Sequence, residues 1–92
     1  MENEILHDKT GMKFYANIQG EEAVLRYAPL PGGDLDFFKT YVPLSLRGKG
    51  LAALLMQAGL KYARETGVRI RPTCSYVEQY FEEHPEEITL RA

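Results

Sequence analysis

The sequence has very little cysteine and no long apolar segment, and both absences limit what the protein can be. Cys74 is the one cysteine among 92 residues, so no internal disulfide and no CxxC metal pair can form. The longest apolar run, Leu51 to Met56, is six residues and far too short to span a bilayer. The opening residues MENEILHDK contain no apolar signal core. The sequence therefore predicts a reduced, cytoplasmic protein without a membrane segment.

The sequence also has no excess of positive charge. The formal charge is −2 and the pI is near 5.6, which argues against a nucleic-acid-binding protein. The charge is unevenly distributed, however. Six basic residues and one acid lie between Pro43 and Arg71, whereas five acids and no Lys or Arg lie between Glu78 and Glu87. The basic segment suits an anion, and the acidic one is either a solvated face or an attractor for a cationic amine.

The length of the chain predicts one domain, residues 1–92, and the Pro and Gly residues that divide it predict short elements. Apolar and polar residues alternate in the first half, which predicts an antiparallel meander. Its strands are expected at Lys13–Ile18, Ala23–Ala28 and Leu35–Val42, with a turn at Gln19–Glu21 and a candidate first strand at Glu4–Asp8.

The second half changes to a helical period. A helix is expected from Leu51, with apolar positions 51, 54, 55, 58 and 62, and with Gly67 as its C-cap. A strand at Val68–Arg71 follows. A second helix is expected with Ser75 as N-cap, Glu78 completing a capping box, and His84 as its end. The order β-β-β-α-β-α predicts an α/β (α+β) fold in which a helix crosses over to a strand that pairs in parallel.

The segment VPLSLRGKGLA, which begins at Val42, carries the clearest chemical signal. It runs from a strand through a basic glycine loop into a helix. Glycines allow close approach of the backbone, and the free N–H groups of a helix start attract an anion. The loop lacks the Walker A and dinucleotide-binding patterns. It is either a phosphate or pyrophosphate site or a helix-entry loop with two solvated cations, Arg47 and Lys49.

The same segment resembles motif A of the GNAT superfamily, the acyl-CoA-dependent N-acetyltransferases, whose signature Arg/Gln-x-x-Gly-x-Gly/Ala is met by Arg47, Gly50 and Ala52. The C-terminal half resembles the compact YjdJ-like branch of that superfamily more closely. The matching positions are Thr40, Val42, Pro43, Arg47, Gly48, Gly50, Ala63, Arg64, Gly67, Pro72, Cys74, Ser75, Tyr76, Val77, His84, Pro85 and Glu86.

The resemblance implies a minimal GNAT-like fold that uses acetyl-CoA and no metal. It implies that backbone N–H groups from Leu46 to Ala52 cradle the CoA pyrophosphate and that the strands ending at Val42 and Pro72 separate around the pantetheine. A main-chain N–H near Tyr41 or Val42 would polarise the thioester carbonyl. The implied cofactor-binding residues are Tyr41, Val42, Leu46, Arg47, Gly48, Lys49, Gly50, Leu51, Ala52, Cys74 and His84.

Cys74 lies just before a predicted helix start, where a thiol pKa is lowered. The resemblance places it near the acetyl group. It is then either a covalent acceptor that becomes S-acetylated or a neighbour in direct transfer to an amine. The remaining alternative is a buried small hydrophobic residue.

Tyr76 and Tyr80 share a helix face because they are four residues apart. The resemblance makes either one a candidate proton donor to the departing CoA thiolate, and the alternative is an aromatic packing face. His84 is either a general base or a helix-terminal residue near CoA. His7 and His84 are isolated in sequence, and no metal-binding spacing exists.

Two departures from the family pattern concern the acceptor. Lys39 stands where the family often has histidine, and the two N-terminal helices of full-length members are absent. We therefore expect an open acceptor side that suits a protein or peptide amine, or a partner protein that completes the site. The favoured activity is acetyl transfer to an amine; the alternatives are a CoA-binding module with little catalysis and a plain interaction domain.

Overall fold

The computed structural model describes residues 4–92, and its centre is one five-stranded sheet with the strand order β1-β2-β3-β4-β5. The first four strands pair antiparallel, and β4 pairs with β5 in parallel. The elements are β1 (Leu6–Asp8), β2 (Lys13–Ile18), β3 (Glu21–Pro29), β4 (Leu35–Tyr41), α1 (Leu51–Thr66), β5 (Ile70–Arg71) and α2 (Ser75–Glu83), with 3₁₀ turns at Leu44–Leu46 and Pro85–Leu90. The predicted meander, crossover helix, parallel strand and short last helix are confirmed.

Several boundaries differ from the sequence prediction. The candidate first strand exists but begins at Leu6, so four strands precede α1 instead of three. β5 begins at Ile70 and not at Val68, because the Val68 N–H closes the end of α1 by donating to the Ala63 carbonyl at 3.1 Å. The 3₁₀ turns were not predicted, since three-residue hydrogen-bonding patterns leave no clear hydrophobic period.

Helix α1 spans Leu51–Thr66 and ends at Gly67, whose φ of 73° is the left-handed conformation expected of a C-cap. Its buried face was predicted only in part. The structure buries Leu51, Leu55, Met56, Gly59, Leu60 and Ala63, whereas Leu54 is 36% exposed. Gly59 sets this rotation because a Cβ there would lie 2.6 Å from the Phe37 ring, so the helix approaches the sheet along its glycine.

The predicted N-cap of α2 is wrong by one residue. Cys74, not Ser75, occupies the N-cap position, and the Cys74 carbonyl accepts the first helical hydrogen bond from the Glu78 N–H at 3.0 Å. Ser75 is therefore already the first helical residue of α2. The end at His84 is confirmed.

The two faces of the sheet differ in what they contact. The face that carries Phe14, Leu25 and Phe37 is buried against α1 in a single apolar core. We call the opposite face, which carries Leu6, Tyr15, Val24 and Tyr41 in one row across β1 to β4, the open face. Leu6 is 40% and Tyr41 46% exposed. Within residues 4–92, neither helix is long and apolar enough to cross a membrane.

Candidate active site

The loop between β4 and α1 is shaped around two glycines. Gly48 and Gly50 have φ values of 81° and 77°, which favour glycine, and nothing lies within 4 Å of where a Cβ would stand on either. Gly50 is the N-cap of α1 and offers no side chain to the first N–H groups, and the first turn contains no acid. The helix therefore presents its unsatisfied N–H groups, with their positive partial charge, to an outside anion.

Arg47 holds this loop together as well as contributing charge. Its Nε donates to the Val42 carbonyl at 2.8 Å, which ties the helix entry back to the end of β4. The Ser45 hydroxyl donates to the Glu21 carboxylate and fastens the 3₁₀ turn to the β2–β3 hairpin. Among residues 4–92, the terminal Nη groups of Arg47 make no hydrogen bond or ion pair. Lys49 is exposed beside it.

A cavity of about 460 Å³ opens between the end of β4, this loop and the start of α2. Nine of the sequence-selected residues line it: Tyr41, Val42, Leu46, Arg47, Gly48, Gly50, Leu51, Ala52 and Tyr76. Thr40 and Ala53 also line it and were not selected as site residues. Thr40 could have been found from its place in the strand end before Val42. Lys49, Cys74, Tyr80 and His84 are not part of the lining.

Strands β4 and β5 separate beside the part of β4 that lines the cavity. The two strands pair only at Leu35–Ile70 and Asp36–Arg71, and the Cys74 N–H then donates to the Phe37 carbonyl at 3.0 Å. Immediately beyond, Phe38 is an extra residue in β4, because Arg26 pairs with Lys39 while Tyr27 pairs with Phe37. Such a bulge bends a strand and increases its local twist. The strand separation implied by the resemblance is therefore present.

Cys74 lies where the strands separate. Its Sγ is 3.5 Å from Oγ1 of the cavity-lining Thr40. Burial acts to raise the pKa of the Cys74 thiol, but the Thr40 hydroxyl and the backbone N–H groups of Val77, Tyr76 and Thr40 outweigh it and hold that pKa below the ordinary 9.0. These donors, at the start of α2, favour the thiolate form of Cys74.

Three rings follow one another along α2. The Tyr76 and Tyr80 rings are 6.3 Å apart, which confirms their shared face, and the Tyr80 and His84 rings stack at 4.1 Å. Tyr80 is only 7% exposed, and His84 contacts Glu86 at 3.1 Å. Burial, with smaller effects of Tyr80, Glu83 and Cys74, raises the pKa of Tyr76, so its phenol keeps its proton. Tyr76 is the ring of the three that reaches the cavity.

The acidic segment is partly paired with bases. Glu78 accepts from Arg91 and Glu87 from Arg64, each at 2.7 Å. Among residues 4–92, no group of three or more His, Cys, Asp or Glu side chains is placed to hold a metal ion.

Comparison with known proteins agrees with this geometry. The whole chain superimposes on the NMR solution structure of a GCN5-like protein from Staphylococcus aureus with a TM-score of 0.79, at 24% identity and covering 91% of that chain. At this identity, the likeness concerns the fold alone. Protein NATD1 of Xenopus tropicalis is 31% identical over 81 residues, which are 86% of this chain and 74% of the relative. Human protein NATD1 is 32% identical over 81 residues, or 86% of this chain and 72% of the relative.

The mixed five-stranded sheet with its helices has the GCN5-like fold. The sequence profile of the GCN5-related N-acetyl-transferase family matches residues 13–90. The chain belongs to this family.

Proposed function

We propose that the protein binds acetyl-CoA in the cavity between β4 and α1 and transfers its acetyl group to an amine. The observation that carries the proposal is the uncapped start of α1 beside Arg47, with Gly48 and Gly50 leaving open space where side chains would otherwise project. Phosphate oxygens satisfy such N–H groups, and the helix dipole and the guanidinium favour their charge. Leu46 to Ala52 would hold the pyrophosphate, with Lys49 as an exposed second cation.

The chemistry requires a nucleophile and a proton donor. The amine nitrogen attacks the thioester carbonyl carbon, the carbon–sulfur bond breaks, and the CoA sulfur leaves with the electron pair. The nitrogen gives up one proton to solvent as the amide forms. The protonated phenol of Tyr76 lines the cavity and is the candidate donor to that sulfur. Tyr80 does not line the cavity, and we assign it to packing against His84.

Cys74 offers a second route to the same product. Its thiolate would attack the carbonyl first, forming an S-acetyl cysteine and releasing CoA, and the amine would then displace the cysteine sulfur. The lowered pKa of Cys74 supports this route because the thiolate is the attacking form. Intact mass spectrometry after incubation with acetyl-CoA tests it: an acetyl group on the wild type but not on Cys74→Ala supports the covalent route. Full acetylation of an amine by Cys74→Ala excludes it.

Thermal titration with acetyl-CoA tests the proposal as a whole. A ligand that binds only the folded state at a hundredfold excess over its Kd stabilises by about 2.7 kcal/mol. In a domain of this size that raises Tm by roughly 10 °C or more. The double variant Arg47→Ala/Lys49→Ala should lose the shift, whereas the control Lys61→Ala/Arg69→Ala removes the same charge outside the loop and should retain it.

Two results would change the conclusion. No shift of Tm at millimolar acetyl-CoA would contradict the proposal and make the glycine loop structural. Tight binding with no turnover on broad amine and peptide panels would instead favour a CoA-binding module that serves a partner.

A further inference from the structure

The open face of the sheet has an apolar row that leads to the cavity. Leu6, Tyr15, Val24 and Tyr41 are directly opposite one another across β1 to β4. The two ends of the row are well exposed, Leu6 at 40% and Tyr41 at 46%. Tyr41 also lines the cavity. Val24 in the middle of the row is only 5% exposed, so the exposed apolar surface of this strip is concentrated at Leu6 and Tyr41. Exposed apolar surface that ends at a candidate catalytic cavity is typical of a surface that receives another molecule.

A row of like charges lies next to this strip. Lys13, Arg26 and Lys39 are direct cross-strand neighbours on β2, β3 and β4, with Asp8 at the β1 end. Like charges directly opposite each other destabilise a sheet, so this row reduces the stability of the fold. Lys13 is drawn away to Glu22 at 2.8 Å, whereas within residues 4–92 no ion pair is formed by Arg26 or Lys39. Two adjacent cations are thus left to face an anion from outside.

We propose that the open face docks the protein that is to be acetylated, and that this partner presents acidic and apolar side chains beside its acceptor amine. The acids would lie over Arg26 and Lys39, and the apolar side chains over the Leu6–Tyr41 strip. This inference rests on the proposed function for the transfer step, because Tyr41 connects the strip to the acetyl-CoA cavity. The docking itself has its own evidence in the strip and the cation row.

The distribution of charge favours a protein over an anionic membrane. Asp8, Glu22 and Asp36 share the open face with the cations by the strand register. A lipid surface of uniform negative charge would be repelled by these acids, whereas a protein can place its charges residue by residue. The Phe38 bulge, 43% exposed, adds apolar surface at the same end of the sheet as the cavity.

The test uses two synthetic peptides, each with a single lysine: one acidic and apolar, the other with its acids replaced by arginines. Titrated into the ¹⁵N-labelled full chain, the acidic peptide should perturb amide resonances of β2, β3 and β4 around Arg26 and Lys39, and the basic one should not. Lys39→Glu should weaken binding by about fivefold to tenfold, because an attraction becomes a repulsion. Leu6→Ser should weaken it by about twofold to fivefold through lost apolar contact.

Matched variants outside the surface control for charge and for folding. Lys61→Glu reverses an exposed lysine on α1, and Ile88→Ser removes an apolar side chain that is 55% exposed in the 3₁₀ turn; both should bind the peptide as the wild type does. All four variants should keep the acetyl-CoA-induced rise in Tm, which shows that they fold.

The possible results distinguish the docking surface from the proposed acetyl transfer. Three results overturn the docking surface and leave the proposed function intact. They are acetyl-CoA binding with no resonance perturbed by the peptide, perturbed resonances that lie away from the open face, and an equal loss of peptide affinity in the control variants. Binding to vesicles containing phosphatidylserine, in place of the acidic peptide, overturns the docking surface in favour of a membrane. Peptide docking on the open face without acetyl-CoA binding keeps the surface and overturns acyl transfer.

Discussion

Cys74 and His7 are half-buried titratable residues at opposite ends of the sheet, and both have a lowered pKa for opposite reasons. His7 on β1 stacks on Phe14 at 4.1 Å between ring centroids, and its Nε2 lies 2.6 Å from the Tyr27 hydroxyl. Burial is the largest cause of its lowered pKa, followed by Lys9, with Asp8 opposing, so the site favours the neutral ring. At Cys74 burial opposes the shift, and hydrogen-bond donors favour the charged thiolate.

The difference distinguishes packing from reactivity. His7 is enclosed by Phe14, Tyr27 and Tyr62, and its polar nitrogen is satisfied by a neighbour, which is the ordinary arrangement of a stable edge. Cys74 lies where the sheet opens and its donors come from two elements, β4 and α2. A lowered pKa therefore does not by itself mark a functional site, and what distinguishes Cys74 is its contact with the cavity-lining Thr40.

Among the changes that test this comparison, Tyr27→Phe is expected to have the largest effect on stability. It removes the hydroxyl that pairs with His7 and leaves the imidazole nitrogen half-buried without a partner. We expect the free energy of unfolding to fall by about 1–2 kcal/mol in urea denaturation. Alkylation of Cys74 should be unchanged, because the Tyr27 hydroxyl contacts His7 and is not among the groups that lower the pKa of Cys74. A fall in the Cys74 alkylation rate as large as the one expected of Thr40→Val would show that the two regions are coupled.

The second effect is expected from Thr40→Val, the matching loss of a hydroxyl at the other end. The pKa of Cys74 should rise towards 9.0, because a donor to the thiolate is lost while burial remains. Alkylation by iodoacetamide at neutral pH should slow by about twofold to tenfold, in line with the net worth of one hydrogen bond. The rate measured against pH reports the shift directly. An unchanged pH profile would mean that the N–H groups of α2 suffice.

The smallest effect is expected from acidification. The folded pKa of His7 lies below 6.5, so between that value and 6.5 the unfolded chain binds more protons than the folded one. Stability attributable to His7 is therefore complete above pH 6.5 and is lost as the pH falls through the folded pKa. We expect a small decrease in the free energy of unfolding, read as a fall in Tm, and a flatter pH profile in His7→Phe. The same pH dependence in both proteins would contradict the assignment.

The sequence by itself determined the order of elements and the chemical character of the glycine loop. The change of hydrophobic period from two to 3.6 residues located the meander and α1, and Gly67 and His84 marked helix ends that the structure has. These signals are local, because turn, cap and periodicity preferences act over a few neighbouring residues. The pattern around Arg47, Gly50 and Ala52 carried the family in the same local way.

Tertiary structure alone decided the rest. Which face of α1 is buried depended on Gly59 meeting Phe37, a contact across 22 positions of sequence that no period reveals. Thr40 meets Cys74 only because the segment that follows β5 lies beside β4. Lys13, Arg26 and Lys39 became one row only through strand register. Such contacts bring together residues far apart in the chain, and their energies depend on the assembled fold rather than on any one segment.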